Sequence, residues 1–166
     1  MSRVLSARIR DRLALDWLTP SQLKVWEDIH RFDGPPHRVV NIFGAEGTGK
    51  TFIGWLMERV QYATYGFWST PPKPALARLV LDDCPTSREA ARSCRPLIDQ
   101  IPGLQQIILL SRSRVDEPAV PAFELTLTED DWAHFRANIF RHLHLTVPED
   151  NLQNYKRALE VLGSLS

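Results

Sequence analysis

Cysteine is scarce in this chain, charge of either sign is balanced by the other, and no apolar run is long. The two cysteines, Cys84 and Cys94, match no metal-ligand or redox spacing and read as small packing side chains in a reducing compartment. Twenty basic residues cancel 20 acidic ones, so no global attraction to nucleic acid or to an anionic membrane is expected, and only a local patch would supply one. No stretch approaches the length of a membrane span, and the arginine-containing amino terminus lacks the unbroken apolar core of a secretory signal. A soluble, cytoplasmic protein is the expectation. Internal repeats and low-complexity segments are also missing. The 166 residues suit one domain whose apolar core needs no staples, with no room for a second catalytic domain.

What the chain does have is Gly44-Ala45-Glu46-Gly47-Thr48-Gly49-Lys50-Thr51, a complete G-x-x-x-x-G-K-[S/T] run continued by Phe52. Upstream, Arg38 to Phe43 reads as a buried strand. Downstream, Ile53, Leu56, Met57 and Val60 recur at helical spacing. Strand, glycine loop and helix is the order a phosphate-binding loop requires, because the glycines let consecutive N–H groups turn toward one anion and the helix adds its positive dipole end. The amides of Gly47 to Thr51 are expected to cradle phosphates. Lys50 would reach the β- and γ-phosphates, and Thr51 would offer its hydroxyl to Mg²⁺.

Around this loop the pattern predicts a doubly wound, mainly parallel five-stranded α/β sheet with a small C-terminal helical lid. Residues 1–36 form an N-terminal helical arm, 37–128 the core and 129–166 the lid. An amphipathic helix is expected over Val4 to Leu18, and a second one opens at Thr19-Pro20-Ser21-Gln22 and ends at Asp33-Gly34-Pro35-Pro36. Further strands are expected at Tyr65 to Ser69, at Leu79 to Leu81, at Ile107 to Leu110 and at Phe123 to Leu127. Thr86 and Glu89 pattern as a capping box for the helix that meets Pro96 and stops near Pro102-Gly103. Two helices close the chain, one with Trp132, Phe135, Ile139 and Leu143 on its apolar face, the other with Leu152, Tyr155, Leu159 and Leu162.

Ligands of such sheets bind at the carboxyl ends of the strands, where Asp82 and Asp83 fall. A carboxylate beside a phosphate loop can help hold Mg²⁺, and a second can orient an attacking water; Asp82 suits the first role and Asp83 the second. A strand ending in two aspartates is otherwise simply a solvated turn. Gln22 is placed either to cap its helix or to contact an adenine edge.

The order GAEGTGKT, LVLDD, IILLSRS and FELTLTEDDWAHF resembles the signal-transduction ATPases of the NB-ARC and wider STAND group, relatives of the AAA+ ATPases, over roughly Arg38 to Leu143. That resemblance implies that LVLDD is a Walker B strand and that Ser111 and Arg112 match a Thr-Arg pair whose arginine senses the terminal phosphate. The implied activity is slow hydrolysis of Mg·ATP, with Lys50, Asp83 and Arg112 in the chemistry and Thr51 and Asp82 on the metal. No guanine-recognition segment of the Asn/Thr-Lys-x-Asp kind is found, which favours adenine. Arg136 and Arg141 on the lid read as solvated arginines or as phosphate contacts. Three functional classes are compatible with these features. The first is an ATP-driven switch or assembly module within a larger signalling or defence complex, working with a protein partner or a second copy. The second is a DNA-associated AAA+ ATPase of the replication or transposition loader type, with Arg8, Arg10, Arg12, Arg88, Arg92 and Arg95 available for weak, salt-dependent phosphate contacts. The third, a small-molecule kinase, shares the loop but lacks a recognisable acceptor pocket.

Overall fold

The computed structural model describes residues 3–32, 38–147 and 155–165, so the turn read at Asp33-Gly34-Pro35-Pro36 and the Leu152 position lie outside the described residues. Five strands form the sheet: β1 (Val39–Phe43), β2 (Thr64–Phe67), β3 (Arg78–Asp82), β4 (Gln106–Ser111) and β5 (Ala122–Glu124). They alternate at period two. Val40, Ile42, Val80, Ile108 and Leu110 face one side, while Val39, Leu79, Leu81, Ile107 and Leu109 face the other. Apolar groups on both faces demand cover on both, which is why the strands run parallel with helices on each side.

The order is β5-β1-β4-β3-β2, and every neighbouring pair is parallel, as the sequence led us to expect of a five-stranded doubly wound sheet. Register decides which strand ends are neighbours. Phe43 lies beside Ser111, and Leu81 beside Leu109, so β1, β4 and β3 end side by side. The glycine loop, Arg112 and the Asp82-Asp83 pair therefore meet at one edge of the sheet.

Helices α1 (Arg3–Arg12), α2 (Pro20–Arg31), α3 (Lys50–Arg59), α5 (Glu129–Leu143) and α6 (Tyr155–Leu165) contribute Ile9, Ile29, Leu56, Ile139 and Leu162 to the core on one face. Helix α4 (Arg88–Gln100) covers the other with Ala91, Cys94 and Ile98. Cys84 and Cys94 are buried free thiols. Burial pushes each up to about 12, Cys84 with some help from Cys94, so both behave as the packing residues anticipated. No helix among the described residues is long and apolar enough to cross a membrane.

Several local expectations need correction, each for a tertiary reason. The helix expected over Val4 to Leu18 ends at Arg12 and gives way to a 3-10 turn at Leu15–Trp17. There the Trp17 carbonyl accepts a bond from Asn138 Nδ2 at 2.9 Å and its ring stacks on His142, while Arg12 donates to the His142 carbonyl, so contacts with α5 outweigh helix propensity. Helix α4 is capped by Ser87, which accepts from Ala90 N, and not by Thr86, whose carbonyl is taken by the Asp116 amide. Strand β2 starts and stops earlier than expected, and β5 stops at Glu124, because Leu125 turns in against the glycine loop. The connection of β2 to β3, residues 68–77, is by contrast the stiff loop that Thr70-Pro71-Pro72-Lys73-Pro74 leads one to expect, with no crossover helix. Thr64 Oγ1 accepts the amides of Ala75 and Leu76, and Trp68 packs into the second core cluster in place of a helix.

The fully buried Asp131 joins two helix starts. Its carboxylate accepts from Ser21 N and Oγ at the head of α2, and from Thr128 N and Oγ at the head of α5, all within 2.8 Å. Burial pushes its carboxyl up, but the bonds from Ser21 and Thr128 outweigh that and hold it below its ordinary value. A group whose folded pKa is depressed stabilises the fold above its unfolded pKa and loses that contribution as pH falls through the folded one. Asp131→Asn should therefore lower stability by about 2–4 kcal/mol at neutral pH. It should also flatten the loss of stability below the ordinary aspartate range, as read from denaturant melts across pH; a variant with the wild-type acid profile would contradict this.

Candidate nucleotide-binding site

The loop after β1 turns on glycine. Gly47 and Gly49 take positive φ of 81° and 93°, which residues bearing a Cβ rarely adopt, and a Cβ on Gly44 would lie 2.3 Å from the Leu125 carbonyl oxygen. Thr48 Oγ1 closes the loop on the Ala45 carbonyl at 3.0 Å. Helix α3 then starts at Lys50, so its first amides have no partner within the helix and its dipole end faces the loop. Phe52 stands on the first turn of α3 and lines the cleft.

Lys50 Nζ donates to the Gly44 and Ala45 carbonyls at 2.7 and 2.8 Å. Burial lowers its pKa, Asp82 opposes that shift and Arg112 reinforces it. An ammonium held at the loop by its own carbonyls, in a partly dry setting, gains from an incoming anion. Thr51 Oγ1 donates to Asp82 Oδ2 at 2.7 Å, and Asp82 is buried with Oδ1 accepting the Asp83 amide at 2.8 Å. A hydroxyl and a carboxylate converging beside an anion cradle form an all-oxygen donor set, which suits a hard cation such as Mg²⁺. Asp83 has φ 58° and projects, exposed, into the mouth of the same cleft.

Arg112 stands at the end of β4 between the two, with its guanidinium 3.8 Å from Glu46. Glu46 also pairs with Lys156, and it is held below the ordinary glutamate value first by Lys156 and then by Arg112. Helix α6 reaches the loop through its backbone as well, since Tyr155 N donates to the Gly47 carbonyl at 3.0 Å. The cleft so enclosed holds about 380 Å³, and its walls pass from Lys50, Thr51, Asp82 and Arg112 to an apolar side built by Trp17, Phe52, Phe135 and Ile139.

The structure thus brings Gly44 to Phe52, Asp82, Asp83 and Arg112 together. Gln22 joins them in its capping role: Oε1 accepts the Thr19 amide at 3.0 Å and Nε2 lies against Gly49, where an added Cβ would approach to 2.3 Å. Arg136 and Arg141 are exposed on α5 and do not line the cleft. Sequence reasoning missed Asn41. It is fully buried in β1, with Nδ2 donating to Ser111 Oγ and the Leu109 carbonyl and Oδ1 accepting from Val115 N, so it fixes both ends of the loop that carries Arg112. A lone amide within Val39-Val40-Asn41-Ile42-Phe43 was the one signal for it. The docking of Tyr155 and Lys156 on the loop left no such trace in the sequence.

No protein-family model and no curated protein matches this chain by sequence. Among solved structures it is similar to a DNA replication initiation factor, with a TM-score of 0.55 and 15% identity over 86% of this chain and 59% of that one. It is similar also to AMPPCP-bound DnaA from Aquifex aeolicus, with a TM-score of 0.52 and 17% identity over 83% of this chain and 58% of that one. The chain therefore spans under two thirds of the length of either. At such identities the likeness is one of fold, a mainly parallel five-stranded α/β sheet flanked by helices; it adds nothing for the STAND group in particular.

Proposed function

We propose that this chain binds Mg·ATP in the cleft and works as a DNA-associated AAA+ ATPase with slow intrinsic hydrolysis. One observation carries the nucleotide reading. Lys50, Thr51 and Asp82 converge on the open amides of one glycine loop, at the carboxyl edge of a sheet in which β4 separates the loop strand from the aspartate strand. Loop amides and Lys50 would hold the phosphates, Thr51 and Asp82 the cation, Asp83 the attacking water, and Arg112 would sense the terminal phosphate. When bound, Mg²⁺ would supply charge neutralisation at the β- and γ-phosphates.

The DNA association is supported by the structures the fold resembles, one a replication initiation factor and the other a DnaA crystallised with an ATP analogue. The arginine set is a restraint on it. Arg10 pairs with Glu58, Arg12 with the His142 carbonyl, Arg88 with Asp116 and Arg92 with Glu117. Phosphate contacts would have to compete with these surface bonds, each of which is weak, so affinity for DNA should be low and steep in salt. The second reading, an ATP-driven switch or assembly module, is favoured by the grip of α6 on the loop through Gly47 and Glu46, which gives a helix direct contact with the nucleotide site.

Lys50→Ala should weaken Mg·ATP binding by about 10–100-fold in calorimetric titration, with ATP bound in preference to GTP by the wild type. Equal affinity in the variant would remove the nucleotide reading. Asp83→Asn should keep ATP affinity while slowing phosphate release by at least about tenfold, and an unchanged turnover would take the water-orienting role from Asp83. Duplex DNA should bind the ATP form at low salt and dissociate steeply as salt rises. An absence of binding at the lowest ionic strength would leave the switch reading standing alone.

A further inference from the structure

Asp82 receives one hydrogen bond that the phosphate-loop scheme does not account for. Tyr65, on the edge strand β2, is nearly buried and donates its O–H to Asp82 Oδ2 at 2.6 Å, the same oxygen that accepts from Thr51. Register explains the reach. Tyr65 lies beside Val80, two residues before Asp82, so both side chains stand on the same face of the sheet and a phenol is long enough to span the step.

Room for that phenol is built into α3. Gly54 sits in the middle of the helix, where glycine is less favourable than alanine. A Cβ there would come within 2.6 and 2.7 Å of the Tyr65 ring carbons and 3.2 Å of Leu110. The missing methyl thus lets the ring lie close against the helix that carries Thr51. On its far side the ring meets Phe67 edge-on and lies 5.9 Å from the Arg10 guanidinium.

We propose that Tyr65 is a positioning residue for the magnesium shell, an inference that rests on the Mg·ATP reading of the cleft. Its hydroxyl fixes the rotation of the Asp82 carboxylate. Oδ1 is spent on the Asp83 amide, and Oδ2 is shared by two hydroxyl donors whose directions differ. A carboxylate held this way keeps the Thr51 proton on itself, which leaves the Thr51 lone pairs aimed outward for the cation. Gly54 belongs to the same device, because it sets the depth at which the ring lies.

The test separates the cation from the nucleotide. ATP binding is measured first in EDTA and then against rising Mg²⁺, for wild type, Tyr65→Phe and Gly54→Ala, with thermal melts confirming that each is folded. Tyr65→Phe should bind ATP in EDTA as the wild type does, within about twofold, while the Mg²⁺ concentration giving half the metal-dependent tightening rises about tenfold. Gly54→Ala should move the Mg²⁺ midpoint in the same direction. An unchanged midpoint in Tyr65→Phe overturns the proposal, as does a parallel loss of affinity with and without Mg²⁺, which would make the phenol a packing group only. Failure of the underlying reading has its own signature, a wild type that binds no ATP or binds it without regard to Mg²⁺.

Discussion

Buried backbone must be hydrogen-bonded, and a phosphate loop is useful only if half of its backbone is not; this chain meets both demands by satisfying the loop's carbonyls from the protein side. Lys50 Nζ takes the carbonyls of Gly44 and Ala45, Thr48 Oγ1 shares that of Ala45, and the Tyr155 amide takes that of Gly47. The Gly44 and Thr48 amides are spent on the Ser111 and Ala45 carbonyls, and the first amides of α3, which have no partner inside the helix, are left for the cleft. The larger features of the fold keep that ribbon in shape. Leu125 closes over Gly44, Gln22 and Tyr155 close over Gly49, and the parallel pairing of β1 with β4 anchors the loop's entry.

The parts of the fold that were legible in the sequence are those set by short-range pattern. Val39 to Phe43, Leu79 to Leu81 and Ile107 to Leu110 carry apolar groups at nearly every step, which only a strand covered on both faces tolerates. The glycine loop was legible because its conformation needs those residue types whatever surrounds it. What was illegible depends on partners far along the chain. The break after Arg12 comes from Asn138 and His142, the cap at Ser87 from Asp116 drawing on Thr86, and the role of Asn41 from the strand laid beside it. Tyr65 looked like one aromatic in a strand. Its meaning appears only when β2 is placed beside β3 with the Tyr65–Val80 register.

Charge balance takes on a local meaning in the folded chain. A formal charge of zero conceals a surface on which three arginines of α1 and α4 are met by carboxylates, Arg10 by Glu58, Arg88 by Asp116 and Arg92 by Glu117. Exposed pairs of this kind contribute little to stability, since solvent and salt screen them. Their effect is on association. They shorten the reach of the positive field, so a polyanion is attracted only when it comes close enough to displace the acidic partners.

At the cleft the same logic runs in the other direction. Glu46 lies on the rim of the glycine loop and draws both Arg112 and Lys156 to it, one from the end of β4 and one from the start of α6. Both line the cleft where a terminal phosphate would sit, beside Lys50, and Glu46 offers them a single negative charge. A triphosphate carries more, within a few ångströms, and lies in a drier setting than an exposed carboxylate. Competition between Glu46 and the ligand for two cations on different elements would connect occupancy of the loop to the seating of α6. The Tyr155-to-Gly47 backbone bond, which involves no charge, would keep that helix in register through such an exchange.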